Sequence, residues 1–169
     1  MSAEHKPLLM RANRLLGAGL VEHNLVKIED LEKANERLLE IASGNQLRQI
    51  TVLGILAYEM KVLREEDILQ HLVESEGLGL VDLRTYDTPD EIKKTIVPGA
   101  CWATFSIPFD KEEDFTFIAT AYYLSPAVRT YWEKQVNGPI LWFGTTIDAI
   151  ADCLEKLVEI PAPEPAAAG

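Results

Sequence analysis

Cysteine and histidine are the residue types in this chain that could support nucleophilic catalysis. A cysteine becomes a nucleophile when a neighbouring histidine accepts its proton. The three histidines, His5, His23 and His71, lie in the first half of the sequence, whereas Cys101 lies in an apolar segment far along the chain. Cys153 falls beside the apolar face of a predicted C-terminal helix. We therefore interpret both cysteines as structural thiols rather than as catalytic groups.

The histidines and the acidic residues give only a weak pattern for a metal site. His71 and Glu74 are three residues apart and could share one face of a helix. A third and a fourth ligand at recognisable spacing are missing from the sequence, so an ion pair or plain solvation is the favoured interpretation. The acidic run 110–114 lacks the glycine and the alternation of a calcium loop and is interpreted as a solvated turn. The sequence thus predicts no metal site.

Phosphate-binding loops are also missing from the sequence. No Gly-x-x-x-x-Gly-Lys-[Ser/Thr] motif occurs, and the pairs Gly17/Gly19 and Gly77/Gly79 lack a third glycine and a preceding strand. We interpret these glycines as helix ends and close packing contacts. Together with the cysteine and metal patterns, this predicts a protein that is not an enzyme and that holds no resident cofactor.

Charge and hydropathy restrict the classes of partner. The chain of 169 residues has a formal net charge of -11, which disfavours binding to nucleic acid or to an anionic membrane surface. No run approaches the roughly eighteen apolar residues of a membrane span, so we expect no direct membrane insertion. The two cysteines are too few for a disulfide framework and favour a reducing compartment. We expect a cytoplasmic protein.

The first half of the chain is predicted to be helical. No proline occurs between Leu8 and Thr88, and the apolar residues there recur at helical spacing. The glycine signals at 44–45 and 77–79 are predicted to close two of these helices. We therefore expect a helical subdomain over residues 1–80.

The second half is predicted to mix strands and helices. β-Branched and aromatic residues predict strands at 101–107, 115–121 and 140–143. Ser125 followed by Pro126 predicts a helix start, and a last helix is expected over 146–159. We predict an α+β fold in which a two-repeat helical bundle packs on a small βαβ-containing subdomain over 81–160, with a linker-like tail over 161–169.

The helical half contains an internal repeat with an offset of 37 residues. Leu16-Gly17-x-x-Leu20 recurs as Leu53-Gly54-x-x-Ala57, and Glu29-Asp30-Leu31 recurs as Glu66-Asp67-Ile68. Each copy reads as a helix, a turn and an amphipathic helix. Because one helical pair cannot bury its apolar face alone, the two copies should pack together as a four-helix unit.

The repeat resembles a known family. The segment 52–75, the following 77–83, and the earlier copy over 15–34 are similar to the N-terminal domain of type II secretion and type IV pilus assembly ATPases, often called the MshEN domain. The later half, ending in Thr145-Thr-Ile-Asp-Ala-Ile150, follows the layout of the same family. The resemblance covers the chain from about Leu8 to Val158.

The resemblance implies two roles, because some members bind cyclic di-GMP across the two repeats and others dock the ATPase onto a partner of the secretion platform. The family motif reads Arg-Leu-Gly, a leucine, a turn glycine, two further leucines and a closing glutamine. This chain departs from it at the two arginine positions, the two turn glycines and the two closing glutamines, which are respectively Leu15 and Val52, Asn24 and Lys61, and Leu38 and Ser75. The motif residues that it keeps are Leu16, Gly17, Leu20, Leu31, Leu53 and Gly54.

The missing arginines count against the receptor role. The forked donors of arginine match phosphates and guanine edges, and aliphatic residues cannot replace them. Arg14 and Arg48 lie one and four residues upstream of the expected positions and are the candidate substitutes. The candidate ligand-binding set is therefore Arg14, Leu16, Gly17, Leu20, Arg48, Leu53 and Gly54. The first hypothesis is an adaptor that binds a protein of a secretion or pilus platform at the inner membrane, and the alternative is a cyclic di-GMP receptor.

Overall fold

The computed structural model describes residues 5–42 and 50–159 of the chain. The helix-closing signal at 44–45, Arg48 and the tail at 161–169 lie outside these ranges. Within them, no helix combines the length and the apolarity that crossing a membrane would need.

The first repeat consists of two long helices. Helix α1 (Lys6–Glu22) has Pro7 in its first turn, where a missing N–H costs no hydrogen bond. Helix α2 (Ile28–Ala42) has Glu29 and Asp30 in its first turn, where carboxylates interact favourably with the helix dipole. The apolar face of α2 is buried at helical spacing, through Leu31, Ala34, Leu38 and Ala42.

The second repeat begins with a shorter helix than the first repeat does. Helix α3 (Val52–Gly54) follows the N-cap Thr51, whose hydroxyl accepts a hydrogen bond from the Gly54 N–H at 3.3 Å. It continues as a π-helical turn (Ile55–Glu59), in which the Met60 N–H donates to the Ile55 carbonyl at 2.8 Å. Helix α4 (Glu65–Ser75) completes the repeat.

The second half forms a four-stranded mixed sheet with helices around it. Its elements are β1 (Gly79–Leu80), α5 (Asp90–Lys93), α6 (Pro98–Thr104), β2 (Ser106–Glu112), β3 (Phe115–Thr120), α7 (Pro126–Gln135), β4 (Ile140–Gly144) and α8 (Ile147–Glu159). The strand order is β1-β4-β3-β2, in which β4 pairs parallel with both β1 and β3, and β2 pairs antiparallel with β3. The segment β3–α7–β4 is a βαβ unit, so the predicted α+β fold is confirmed.

The strand predicted at 101–107 is wrong over most of its length. Pro98 stands in the first turn of α6, and the helix continues through Cys101 to Thr104. Phe105 adopts a left-handed conformation with φ 41° and ends the helix, so that β2 begins one residue later. Composition cannot tell a short buried apolar run in a helix from one in a strand, and residues 101–104 of α6 are all buried.

The hairpin between β2 and β3 is tighter than the acidic run suggested. Strand β2 extends through Glu112, whose register partner is Phe115. Only Glu113 and Asp114 remain for the turn, and Glu113 takes the positive φ of 55° that a two-residue hairpin turn demands. The prediction of a turn over 110–114 is therefore corrected to two residues.

Helix α1 joins the two halves of the molecule. It packs against α6 and α7 of the second half and against α2 and α3 of the first. At Gly19 the backbone passes so close to the Leu124 carbonyl that an added Cβ would lie 2.5 Å from that oxygen. Ser125 precedes α7 as predicted, but its hydroxyl donates to the Ala12 carbonyl of α1 at 2.8 Å and makes no cap hydrogen bond.

Candidate functional site

The two copies of the repeat share one backbone plan. Helices α2 and α4 begin at Ile28 and Glu65, and left-handed residues precede them at Asn24, with φ 59°, and Lys61, with φ 56°. Both pairs of positions are separated by the offset of the repeat. The turns that the family fills with glycine thus keep a left-handed backbone in this chain, although asparagine and lysine occupy them.

The retained leucines of the motif belong to the core. Leu16 and Leu20 are fully buried on α1, and Leu53 is buried on α3. None of these three side chains is therefore available at the surface to a ligand.

Each motif glycine lies where the fold leaves little room for a side chain. A Cβ on Gly17 would lie 2.5 Å from the Leu31 Cδ1 atom of α2. A Cβ on Gly54 would lie 2.7 Å from the Thr51 Cγ2 atom. In this structure both glycines are contact points within the fold, and Gly17 sets the approach of α1 to α2.

The arginine positions of the motif are aliphatic and partly or wholly covered. Leu15 is half-buried, and Val52 is fully buried. Arg14 is exposed on α1, whereas Arg48 lies outside the described residues. Of the two candidate arginines, the described residues therefore include Arg14, which lies on the face of α1 next to α2.

Arg14 lines a groove between α1 and α2, which we call the α1/α2 groove. The groove has a volume of about 490 Å³ and is lined by Pro7, Met10, Arg11, Arg14, Asn35, Leu38 and Leu39. Leu39 is the most exposed large apolar residue of the described chain, with 65% of its surface accessible. The groove therefore combines an apolar floor with two cationic side chains.

The two arginines that line the α1/α2 groove differ from Arg37 nearby, because within the described residues they have no salt-bridge partner. Arg37 on α2 forms salt bridges with Glu40 at 3.1 Å and with Glu59 at 2.8 Å. Neither Arg11 nor Arg14 forms a salt bridge with any residue of 5–42 or 50–159. Within residues 5–42 and 50–159, the α1/α2 groove thus places two cations without a salt-bridge partner beside an exposed leucine.

The sequence contained a signal for this groove that motif reasoning missed. Leu39 follows Leu38 directly and so falls outside the buried stripe of α2. Arg11 and Arg14 are three residues apart and therefore share one face of α1. An apolar residue such as Leu39 outside the buried stripe, next to a cationic helix face, indicates a surface that the rest of the chain does not bury.

A buried polar network lies beneath the motif and was also missed. Asn13, which is 1% exposed, accepts a hydrogen bond from the Val52 N–H at 2.8 Å through its Oδ1 atom. Its Nδ2 atom donates to the carbonyls of Leu9 at 2.9 Å and Ile50 at 3.4 Å. The hydroxyl of Tyr122 contacts the same Oδ1 atom at 2.9 Å. An amide within the apolar stripe of α1 was the available sequence signal.

The Asn13 network joins three distant parts of the chain. Its members come from α1, from the start of the second repeat, and from the segment after β3. The Tyr122 hydroxyl also hydrogen-bonds to Thr51, the N-cap of α3, and burial raises the pKa of Tyr122 above its ordinary range. The network therefore fixes the second repeat against the first at the position of Val52.

Glu65 is a buried acid at the start of α4. One carboxylate oxygen accepts the Ile147 N–H at 2.9 Å, which satisfies a backbone donor at the start of α8. The other accepts the hydroxyl of Tyr58. Burial raises the pKa of Glu65, and these two hydrogen bonds oppose that rise without cancelling it.

The cysteines lie in protected surroundings. Cys101 is fully buried in α6, and burial raises the pKa of its thiol well above the ordinary range. Cys153 is half-buried on α8, and its pKa is raised for the same reason. Both thiols are therefore less nucleophilic than a free cysteine.

The histidines and acids meet at one place among the described residues. His71 lies near Glu76 and His23, and the candidate ligand atoms of the three are all within 4.8 Å of one another. Glu74, which the sequence had paired with His71, instead accepts a hydrogen bond from Gln70 at 3.1 Å.

Comparison with known sequences gives a partial match. No family model matches the chain. The type IV pilus assembly ATPase PilB of Thermus thermophilus is 27% identical over 115 residues, which are 68% of this chain and 12% of PilB. The match thus spans a small part of the length of PilB.

The chain is similar to solved structures over most of its length. A structure of MshE with cdg, the abbreviation of cyclic di-GMP, gives a TM-score of 0.53 at 16% identity, over 84% of this chain and 97% of that one. The N-terminal domain of XpsE gives a TM-score of 0.56 at 19% identity, over 86% and 94% of the two chains. A second crystal form of XpsE gives 0.53 at 22% identity, over 92% and 96%. This chain therefore has the fold of the N-terminal domains of type II secretion and type IV pilus assembly ATPases, as its repeat predicted.

Proposed function

We propose that this chain is a non-catalytic adaptor domain that binds a protein partner of a secretion or pilus platform in the α1/α2 groove. The observation that carries the proposal is the combination of exposed Leu39 with Arg11 and Arg14, which form no salt bridge in the described part of the chain, on one surface. The similarity of the fold to the N-terminal domain of XpsE supports a domain of this kind.

The chemistry of the groove defines the partner. Its apolar lining, with Met10 and Leu39, suits an amphipathic helix that presents apolar side chains at helical spacing. The cations at its edge suit carboxylates that flank those side chains. Burying the exposed part of one leucine contributes about 1–2 kcal/mol, so a few such contacts are enough for a reversible complex. We expect the domain to act in the cytoplasm and to reach the inner membrane through this partner.

The binding test uses the cytoplasmic domain of the platform protein from the same organism. Its affinity is measured by calorimetry for the wild type and for Arg14→Glu and Leu39→Ser. The matched control is Lys33→Glu, which makes the same charge change at an exposed position of α2 outside the groove. We expect each groove variant to weaken binding about tenfold or more, equivalent to about 1.4 kcal/mol, and the control to have little effect. Equal affinity in all variants would place docking elsewhere on the molecule.

The alternative is a cyclic di-GMP receptor, and one specific observation favours it. The fold is that of MshE, which was solved with this ligand, and both left-handed turns of the repeat are kept in this chain. The aliphatic residues Leu15 and Val52 count against it, since neither can donate to a phosphate. Arg14 is the exposed donor nearest in sequence to the first of these positions.

A titration with cyclic di-GMP at physiological salt separates the two functions. Micromolar affinity corresponds to about -8 kcal/mol and is readily measured by calorimetry. Binding that is weakened by Arg14→Ala or Arg48→Ala, but not by Lys33→Ala, would establish a receptor with displaced phosphate donors. The absence of heat at millimolar ligand would leave the adaptor as the function to test.

A further inference from the structure

We infer that His23, His71 and Glu76 form a binding site for a divalent transition-metal ion of the zinc class. The three side chains offer two imidazole nitrogens and one carboxylate oxygen, within 4.8 Å of one another. This is a ligand set that zinc accepts in proteins. The site lies away from the α1/α2 groove and does not depend on the proposed function.

The distances suit a shared ion better than direct hydrogen bonds. The His71 Nε2 atom and the Glu76 Oε2 atom are 3.6 Å apart, which is within ion-pair distance for a protonated histidine but too long for a hydrogen bond. Two ligand atoms on one tetrahedral zinc ion, each at about 2.0–2.1 Å from it, are separated by about 3.3 Å. The rings of His23 and His71 have centroids 4.7 Å apart and are tilted by 52°, so small side-chain rotations bring the third ligand into range.

Among the described residues, the His71 Nε2 atom has no hydrogen-bond partner. The atom is also shielded from solvent. A shielded imidazole nitrogen without a partner costs free energy unless something occupies its lone pair or accepts its proton. A metal ion that binds this nitrogen removes that cost.

The backbone around the cluster is well defined. His23 caps the C-terminal end of α1, where its N–H donates to the Gly19 carbonyl at 3.0 Å. Glu76 caps α4, and the following Gly77 has φ 71°, while the Leu78 N–H donates to the Leu72 carbonyl at 3.0 Å. The left-handed Gly77 and this hydrogen bond end α4 and hold the backbone at Glu76.

The ion would link the two repeats. His23 belongs to the end of the first helix of one repeat, whereas His71 and Glu76 belong to the last helix of the other. Three protein ligands leave the fourth position of a tetrahedral ion to water. The net charge of -11 favours binding of a cation. We therefore expect the ion to stabilise the packing of α1 against α4.

The test is a metal titration of the full chain after removal of any affinity tag and treatment with a chelator. Zn²⁺ is titrated by calorimetry in a buffer without phosphate, and Co²⁺ is titrated by its visible absorption bands. We expect one ion per chain with a Kd of about 10 μM or below. At 100 times the Kd, Zn²⁺ should raise the midpoint of thermal unfolding by about 5–10 °C.

Three variants test the assignment of the ligands. His23→Ala, His71→Asn and Glu76→Gln should each weaken Zn²⁺ binding at least tenfold and remove the thermal shift. The matched control is His5→Ala, which changes the remaining histidine of the chain and should leave the Kd within about twofold of the wild type. Because His23 is exposed, His23→Ala should fold even if His71→Asn or Glu76→Gln does not. A wild-type Kd above about 100 μM, or equal affinity in wild type and His23→Ala, would overturn the inference.

Discussion

Replacing Asn13 by leucine should strongly destabilise the fold. Leucine has the same number of side-chain heavy atoms, branched at the same carbon, and suits the helix, so the substitution chiefly removes hydrogen bonds, while its bulkier methyl groups add some steric strain. The Val52 N–H loses its acceptor at 2.8 Å, and Tyr122 loses one of its two partners. The Ile50 carbonyl loses a longer bond of 3.4 Å.

The magnitude follows from these three groups. A buried donor left without an acceptor costs about 1–3 kcal/mol, which we assign in full to the Val52 N–H. Tyr122 keeps its bond to Thr51, and the bond to Ile50 is long, so these two groups together add about 1–2 kcal/mol. The expected loss is therefore about 2–5 kcal/mol, a large fraction of the 5–15 kcal/mol that is typical of a domain.

Urea unfolding followed by tryptophan fluorescence measures this loss. The matched control is Arg14→Leu, which places leucine at an exposed position of the same helix and should change the free energy of unfolding by less than about 0.5 kcal/mol. A double-mutant cycle with Tyr122→Phe should give a coupling of at least about 0.5 kcal/mol. A loss below about 1 kcal/mol for Asn13→Leu would refute the view that this network fixes the two repeats together.

Three further substitutions test the packing, a turn and a buried acid. Gly19→Ala should lower the free energy of unfolding by about 1–3 kcal/mol, because the new Cβ would lie 2.5 Å from the Leu124 carbonyl oxygen and the backbone would have to move. A gain in thermal stability would contradict this expectation. Lys61→Gly should raise stability by about 0.5–1 kcal/mol in urea unfolding, since glycine adopts the φ of 56° without strain. A loss would show that the lysine side chain contributes more than the strain costs. Burial raises the pKa of Glu65, so the folded state binds the carboxyl proton more tightly than the unfolded state does. The stability that this proton contributes is fully present below the unfolded pKa of about 4.3 and is lost as pH rises through the folded pKa. Relative to wild type, Glu65→Gln should gain stability between pH 4 and pH 7 in urea unfolding, and a constant difference over that range would contradict the assigned shift.

The repeat could be predicted from sequence because its signals are local. The Leu-Gly pairs and the acidic starts of the second helices recur at one offset, and each feature acts within a few residues of itself. The strands β3 and β4 and helix α8 were predictable for a similar reason, since their β-branched, aromatic or helical patterns are local, and β4 and α8 are in addition flanked by glycine or proline.

The features that were missed depend on which elements meet in space. All residues of α6 from Ala100 to Thr104 are buried, so its apolar residues show no helical period and resemble a strand. The α1/α2 groove exists because α6 and α7 cover a different face of α1, which no local pattern reveals. His23 and His71 do not occupy equivalent positions of the two repeats, so the repeat itself gave no reason to bring them together.

The packing at Val52 explains why the ligand positions of the motif cannot simply be restored. Its side chain is fully buried and its N–H is held by Asn13, so Val52→Arg would place a charge without a partner in the core. That costs several kcal/mol, whereas Leu15→Arg can extend its charge to water from a half-buried position. Thermal unfolding should therefore show a large loss for Val52→Arg and a small one for Leu15→Arg. If Val52→Arg instead folded with wild-type stability and bound cyclic di-GMP in calorimetry, the second repeat would still contain an open ligand site, and the adaptor function would lose its main structural argument.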